Sequence, residues 1–146
     1  MSRRERGAVA GIEVLPFAFL FFVMGVLFIA NVWAVVDAKL AVGAAAREAT
    51  RAYVEADDPA SADAASRAVA LETLDAYGRG QPGRVTVDDP AIDGPFGRCT
   101  RVTITVHYRV PALALPWLGG LGNGIEASAT HSEVIDAYRG GLDAGT

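Results

Sequence analysis

One cysteine and two histidines are all the thiol and imidazole side chains in these 146 residues. Cys99 cannot close an internal disulfide, and alone it cannot hold a structural zinc, which takes about four ligands. Positive charge is scarce as well. Lys and Arg number 13 against 17 Asp and Glu, giving a formal charge of −4 and a pI near 5.1. That balance excludes the clustered basic surface of a nucleic-acid binder. Glycine and proline together make up roughly 16% of the chain, below the ~25–30% of low-complexity sequences. A chain of this length holds one domain at most.

Apolar residues make up 51% of the chain, and the mean hydropathy is +0.27 although 21% of the residues are charged. The apolar content must therefore be concentrated, and it lies near the N-terminus. Val14 to Val36 contains no charged residue. As a helix this run spans about 35 Å at ~1.5 Å per residue, enough to cross a hydrocarbon core of ~30 Å. Phe17, Phe19, Phe21, Phe22 and Phe28 are mixed with Leu, Val, Ile and Met on every side, which leaves no polar stripe for water. The expected organisation is a short basic cytoplasmic segment at 1–13, a transmembrane helix at 14–36 and an extracytoplasmic α+β domain at 37–146. Arg3, Arg4 and Arg6 before the run, with Asp37 and a single Lys39 after it, place the N-terminus in the cytoplasm. A secretory signal cut after Ala34 is the alternative, although signal peptides carry a shorter apolar core.

Glu13 stands at the edge of this run, where an ionised carboxylate is costly and usually partnered. The stretch ERGAVAGIEVLPFAFLFF resembles the N-terminus of the TadE/TadF pilus-assembly family, pseudopilins with a type IV prepilin-like leader. The resemblance implies cleavage by a prepilin-type peptidase after Gly7 or after Ala8, which makes Glu13 the sixth or the fifth residue of the mature chain. It implies that Glu13 pairs with the freed amine of its own chain or of a neighbouring subunit. It further implies membrane lipid, other pilus or pseudopilin subunits and the Tad assembly platform as partners, in homo- or hetero-oligomers; the residues themselves suggest no cofactor. GAAAREATRAYVE, at 43–55, looks like the stretch that follows the membrane helix in that family.

The helix is expected to continue from Asp37 into the body without a break, because no proline occurs before Pro59. Asp58-Pro59 reads as an N-cap and first helical position, and the second helix should end at Tyr77-Gly78. Its inner stripe is expected at Ala64, Ala68, Leu71 and Leu74, with Asp63 and Arg67 as an exposed pair. RVTVD at 84–88 reads as a short strand. Arg101–Val110 alternates cleanly, with Val102, Ile104, Val106, Tyr108 and Val110 on the apolar face. Ile125–Val134 is a weaker strand whose alanines suit packing beneath a helix. The resulting fold class is α+β: a long transmembrane helix continuing into a pilin-like body with a second helix and a small antiparallel sheet.

PALALPWLGGLGNG, at 111–124, is expected to be a loop folded over the open end of the sheet; Leu115, Trp117 and Leu118 are its candidate contacts with a partner or the membrane interface. No catalytic pattern is present. His107 and His131 lie on different strands outside any metal-binding spacing, and Cys99 is expected to be a buried small hydrophobe or an intermolecular bridge. GGLGNG lacks a phosphate-loop pattern, and Asp57-Asp58 and Asp88-Asp89 read as a cap and a turn rather than calcium ligands. The sequence therefore points to a non-enzymatic membrane-anchored component of a pilus or secretion apparatus. A permanently anchored binding or sensor domain and a secreted hydrolase or metal protein are the rival readings.

Overall fold

From Val14 to Glu55 the chain forms one helix of 42 residues, α1. Its composition explains the length: Pro16 lies near the beginning and the second half is rich in alanine, the strongest helix former. The computed structural model describes residues 14–115 and 119–140, apart from the side chains of 112–123. The N-terminal half of α1 is exposed on nearly every side. The C-terminal half buries Ala38, Ala41, Val42, Ala45, Ala46, Ala49, Thr50, Tyr53 and Val54. Those steps of three and one trace a single helical stripe facing the core.

Helix α2, Pro59–Ala76, turns back along α1. Asp58 caps its start by accepting hydrogen bonds from the N–H groups of Ala60 and Ser61, both at 3.0 Å. The Ser61 hydroxyl and these N–H donors lower the Asp58 pKa. At the other end the N–H of Gly78 reaches Asp75 O and that of Arg79 reaches Leu74 O, at 2.7 and 2.8 Å. This is a Schellman closure, and it requires the positive φ of 69° that Gly78 adopts without a Cβ penalty.

The face of α2 differs from the expected stripe. Ala62, Ser66, Ala70 and Leu74 are buried, whereas Ala64, Ala68 and Leu71 are exposed. Alanine occurs all round this helix, so its apolar pattern does not choose a side. Ser66 can enter the core because its hydroxyl bonds Asp63 O at 3.0 Å. Arg67 does not pair with Asp63; it reaches Val87 O at 3.1 Å and the Asp89 carboxylate.

The sheet is antiparallel throughout. Its strands are β1 (Val85–Val87), β2 (Ala91–Ile92), β3 (Arg101–Leu115) and β4 (Gly119–Val134). β1 and β2 pair with one edge of β3, and β4 pairs with the other. The inner face is the one the alternation gives: Val102, Ile104, Val106, Tyr108 and Val110 are all buried beneath the helices. Ala127 lies opposite Tyr108 and Ala129 opposite Val106, and these small side chains admit α1 close to β4.

The described residues of 111–124 do not form the expected loop. β3 and β4 continue as a hairpin, with Pro111 opposite Asn123, Leu113 opposite Leu121 and Leu115 opposite Gly119. The prolines and glycines hide this in the sequence. Pro111 is tolerated because the register shifts between Arg109 and Pro111, and such a bulge needs no ladder N–H.

Candidate membrane and partner interface

The described residues contain one helix long and apolar enough to cross a membrane, and none of its most apolar stretch is buried against the rest of the chain. Phe21 is 76% exposed, Phe28 70% and Trp33 69%. An apolar surface of this extent is far larger than the patches soluble monomers expose.

Where the helix meets the body, Arg79 forms the junction. The closure of α2 delivers it against α1, where its Nη2 donates to Asp37 Oδ2 at 2.5 Å and to the Ala34 carbonyl at 3.2 Å. The same guanidinium lies over the Tyr108 ring, 5.2 Å from its centroid. Only 13% of the Arg79 side chain is exposed. A second tie comes from Lys39, the chain's one lysine, whose Nζ donates to Ser128 O on β4 at 2.8 Å. At the far end of α1, Arg139 donates to the carbonyls of Val54 and Glu55, two of the acceptors a helix end leaves open, and pairs with Asp57 at 3.1 Å. The Arg79 and Lys39 ties thus bracket the start of the packed half of α1, and Arg139 closes its end.

Gly7, Ala8 and Glu13, the expected processing and assembly residues, lie outside the described residues. So do Trp117 and Leu118, while Leu115 is described only as a backbone pair of Gly119. Sequence reasoning did not single out Arg79 or the cleft of about 300 Å³ between α1 and the base of the hairpin. The signal for Arg79 was its place one residue after the helix-ending glycine, which carries no indication of a partner 42 residues away.

The outer face of the sheet is polar. Thr103 and Ser132 bond at 2.8 Å, and Thr105 and Thr130 at 3.0 Å, as cross-strand hydroxyl pairs. His107 ends the row, held by Asp88 Oδ2 at its Nε2 (3.0 Å) and by Glu126 Oε1 at its Nδ1 (2.9 Å). The Asp88 bond raises its pKa most; partial burial opposes this, and Glu126 adds to it. Both ring nitrogens face carboxylates, which suits a protonated imidazolium and leaves no lone pair for a metal. His131 is elsewhere, opposite Ile104 on the inner-face register. Asp57 and Asp58 thus serve Arg139 and the α2 cap, and Asp88 and Asp89 serve His107 and Arg67. Cys99 is exposed rather than buried, in a turn with φ of 66°. Among the described residues no group of three or more His, Cys, Asp or Glu is placed to hold a metal ion.

No protein-family model, curated protein or solved structure matches this chain.

Proposed function

We propose that this protein is a non-enzymatic, single-pass membrane subunit of a Tad-type pilus or secretion assembly, resembling the TadE-like pseudopilins. The observation that carries the reading is the division of α1. One helix is bare and apolar for its first half and built into the body for its second. A subunit of this form is stored in a bilayer and can exchange lipid for neighbouring helices of the same kind when it assembles. The basic residues at Arg3, Arg4 and Arg6 favour a cytoplasmic N-terminus with the acidic body outside. Glu13 supports assembly because a carboxylate at the apolar edge gains from an amine partner in low dielectric. The partners in this reading are a prepilin-type peptidase, other pilus subunits and the assembly platform.

The test is the N-terminal sequence and intact mass of the protein recovered from its own cell envelope. The expected result is loss of the first seven or eight residues, with Glu13→Ala blocking incorporation into larger assemblies. An intact N-terminus would overturn the processing step and favour a permanently anchored binding domain. A chain beginning at Val35 would mean a secreted protein whose apolar run was an address.

A further inference from the structure

The cleft between α1 and the hairpin base has walls of two origins. Phe28, Val32 and Val35 come from the uncharged half of α1, and Val110, Pro111 and Ile125 come from the two strands of the body. The first three follow steps of four and three and so share one stripe of the helix. Lys39 continues that stripe, four residues beyond Val35. Its backbone lies about 6 Å further along the axis at ~1.5 Å per residue. A polar wall residue, Asn31, donates an amide proton back to Leu27 O at 2.8 Å. The structure therefore has an apolar slot, continuous with the lipid-facing surface of α1, with an ammonium group beyond its body-side end.

We propose that this slot holds an acyl chain of a membrane phospholipid whose phosphate is met by Lys39. The proposal rests on the membrane reading of α1. A volume of about 300 Å³ lies at the small end of ligand pockets and accommodates part of one alkyl chain, with the remainder in the bilayer. Charge is complementary at the head. Lys39 gives one of its three N–H donors to Ser128 O and is exposed, so its ammonium can also meet a phosphate. Asp37, the nearest acid on α1, is occupied by Arg79 and does not neutralise it. Ile125, on the rim, is 63% exposed, an unfavourable position in water and a favourable one against lipid. A bound lipid would fill the gap between the strand pair and the helix and seat the hairpin base against the bilayer.

Full-length protein reconstituted into phosphatidylglycerol–phosphatidylethanolamine vesicles tests this, with a trace of phosphatidylglycerol carrying a diazirine on one acyl chain. Flotation reports membrane insertion, and mass spectrometry of photolabelled peptides reports where the acyl chain lies. The expected result is flotation with adducts on Val110, Pro111 or Ile125 in addition to α1. Ile125→Trp fills the slot from an exposed position and should abolish the hairpin adducts while sparing those on α1 and the melting temperature. Lys39→Gln should raise the lipid fraction needed for half-maximal hairpin labelling about tenfold, the effect of losing one charge-assisted hydrogen bond. Flotation with adducts confined to α1, or hairpin adducts that persist in Ile125→Trp, would overturn the proposal and leave anchoring intact. A photoreactive residue at Ile125 that captures another polypeptide in native membranes, with no lipid adduct, would equally overturn it. Failure to float would refute the membrane reading and this inference with it.

Discussion

Arg79 and Asp37 are 42 residues apart in sequence and in direct contact in the fold, with Nη2 and Oδ2 separated by 2.5 Å. The pair joins the turn after α2 to α1 at the level where the packed half of that helix begins. Because Arg79 also bonds Ala34 O and covers Tyr108, one side chain ties the end of α2 and the sheet to α1.

Replacing Arg79 by Ala should therefore destabilise the body by about 1–3 kcal/mol, since it strips a largely buried cluster of charged hydrogen bonds and a ring contact. Asp37→Ala, at a half-exposed partner, should cost less. Thermal melts of both variants and the double variant in detergent check this; additive losses would show that the two side chains do not act as a pair.

The two sides of α2 give a sharper contrast. Ala62→Leu and Ala70→Leu force extra volume into a packed helix contact and should each cost about 1–3 kcal/mol. Ala64→Leu and Ala68→Leu, on the exposed side, should stay within about 0.5 kcal/mol of the parent. Urea titration of the four variants decides which face is buried.

His107 gives the body a pH dependence of defined sign. Asp88 and Glu126 favour the protonated ring, so its folded pKa lies above the ordinary 6.5. The stability this contributes is complete below that ordinary value and is lost as pH rises through the folded one. His107→Gln should flatten this part of the curve, converging with the parent at alkaline pH. Melting temperatures of both proteins from pH 5 to 9 measure it, and equal slopes would count against the ion-pair cluster.

Cys99 adopts a left-handed backbone conformation in which a Cβ is unfavourable. Cys99→Gly should be neutral or stabilising by up to about 1 kcal/mol, whereas Cys99→Val should destabilise. Since the thiol is exposed, the folded protein should also react with a maleimide at a rate close to that of the unfolded chain.

How much of this was legible in the sequence depended on whether a pattern had one solution. The uncharged run of α1 and the alternation from Val102 to Val110 each permit a single arrangement, and both elements lie where those patterns put them. The Asp58 cap and the Gly78 stop were equally local, and each is made by atoms within a few residues. The alanines of α2 permit several faces, and the choice fell to contacts with α1 that no local pattern encodes. Pro111 and the glycines of the hairpin argued for a loop, yet cross-strand pairing outweighed them, with the register shift absorbing the proline. Arg79, Lys39 and His107 were ordinary surface charges in sequence; only tertiary registration gave them partners.

The uninterrupted course of α1 has a mechanical consequence. Its 42 residues form a rod about 63 Å long at ~1.5 Å per residue, and the same rod runs through both the greasy half and the core. Tension applied to the greasy half reaches the sheet along the axis, as shear distributed over the alanine stripe and the ties at Arg79, Lys39 and Arg139. It does not arrive at one end as a peeling force. A pull along the helix axis therefore moves the chain as a unit, and the body need not unfold for the apolar half to be displaced.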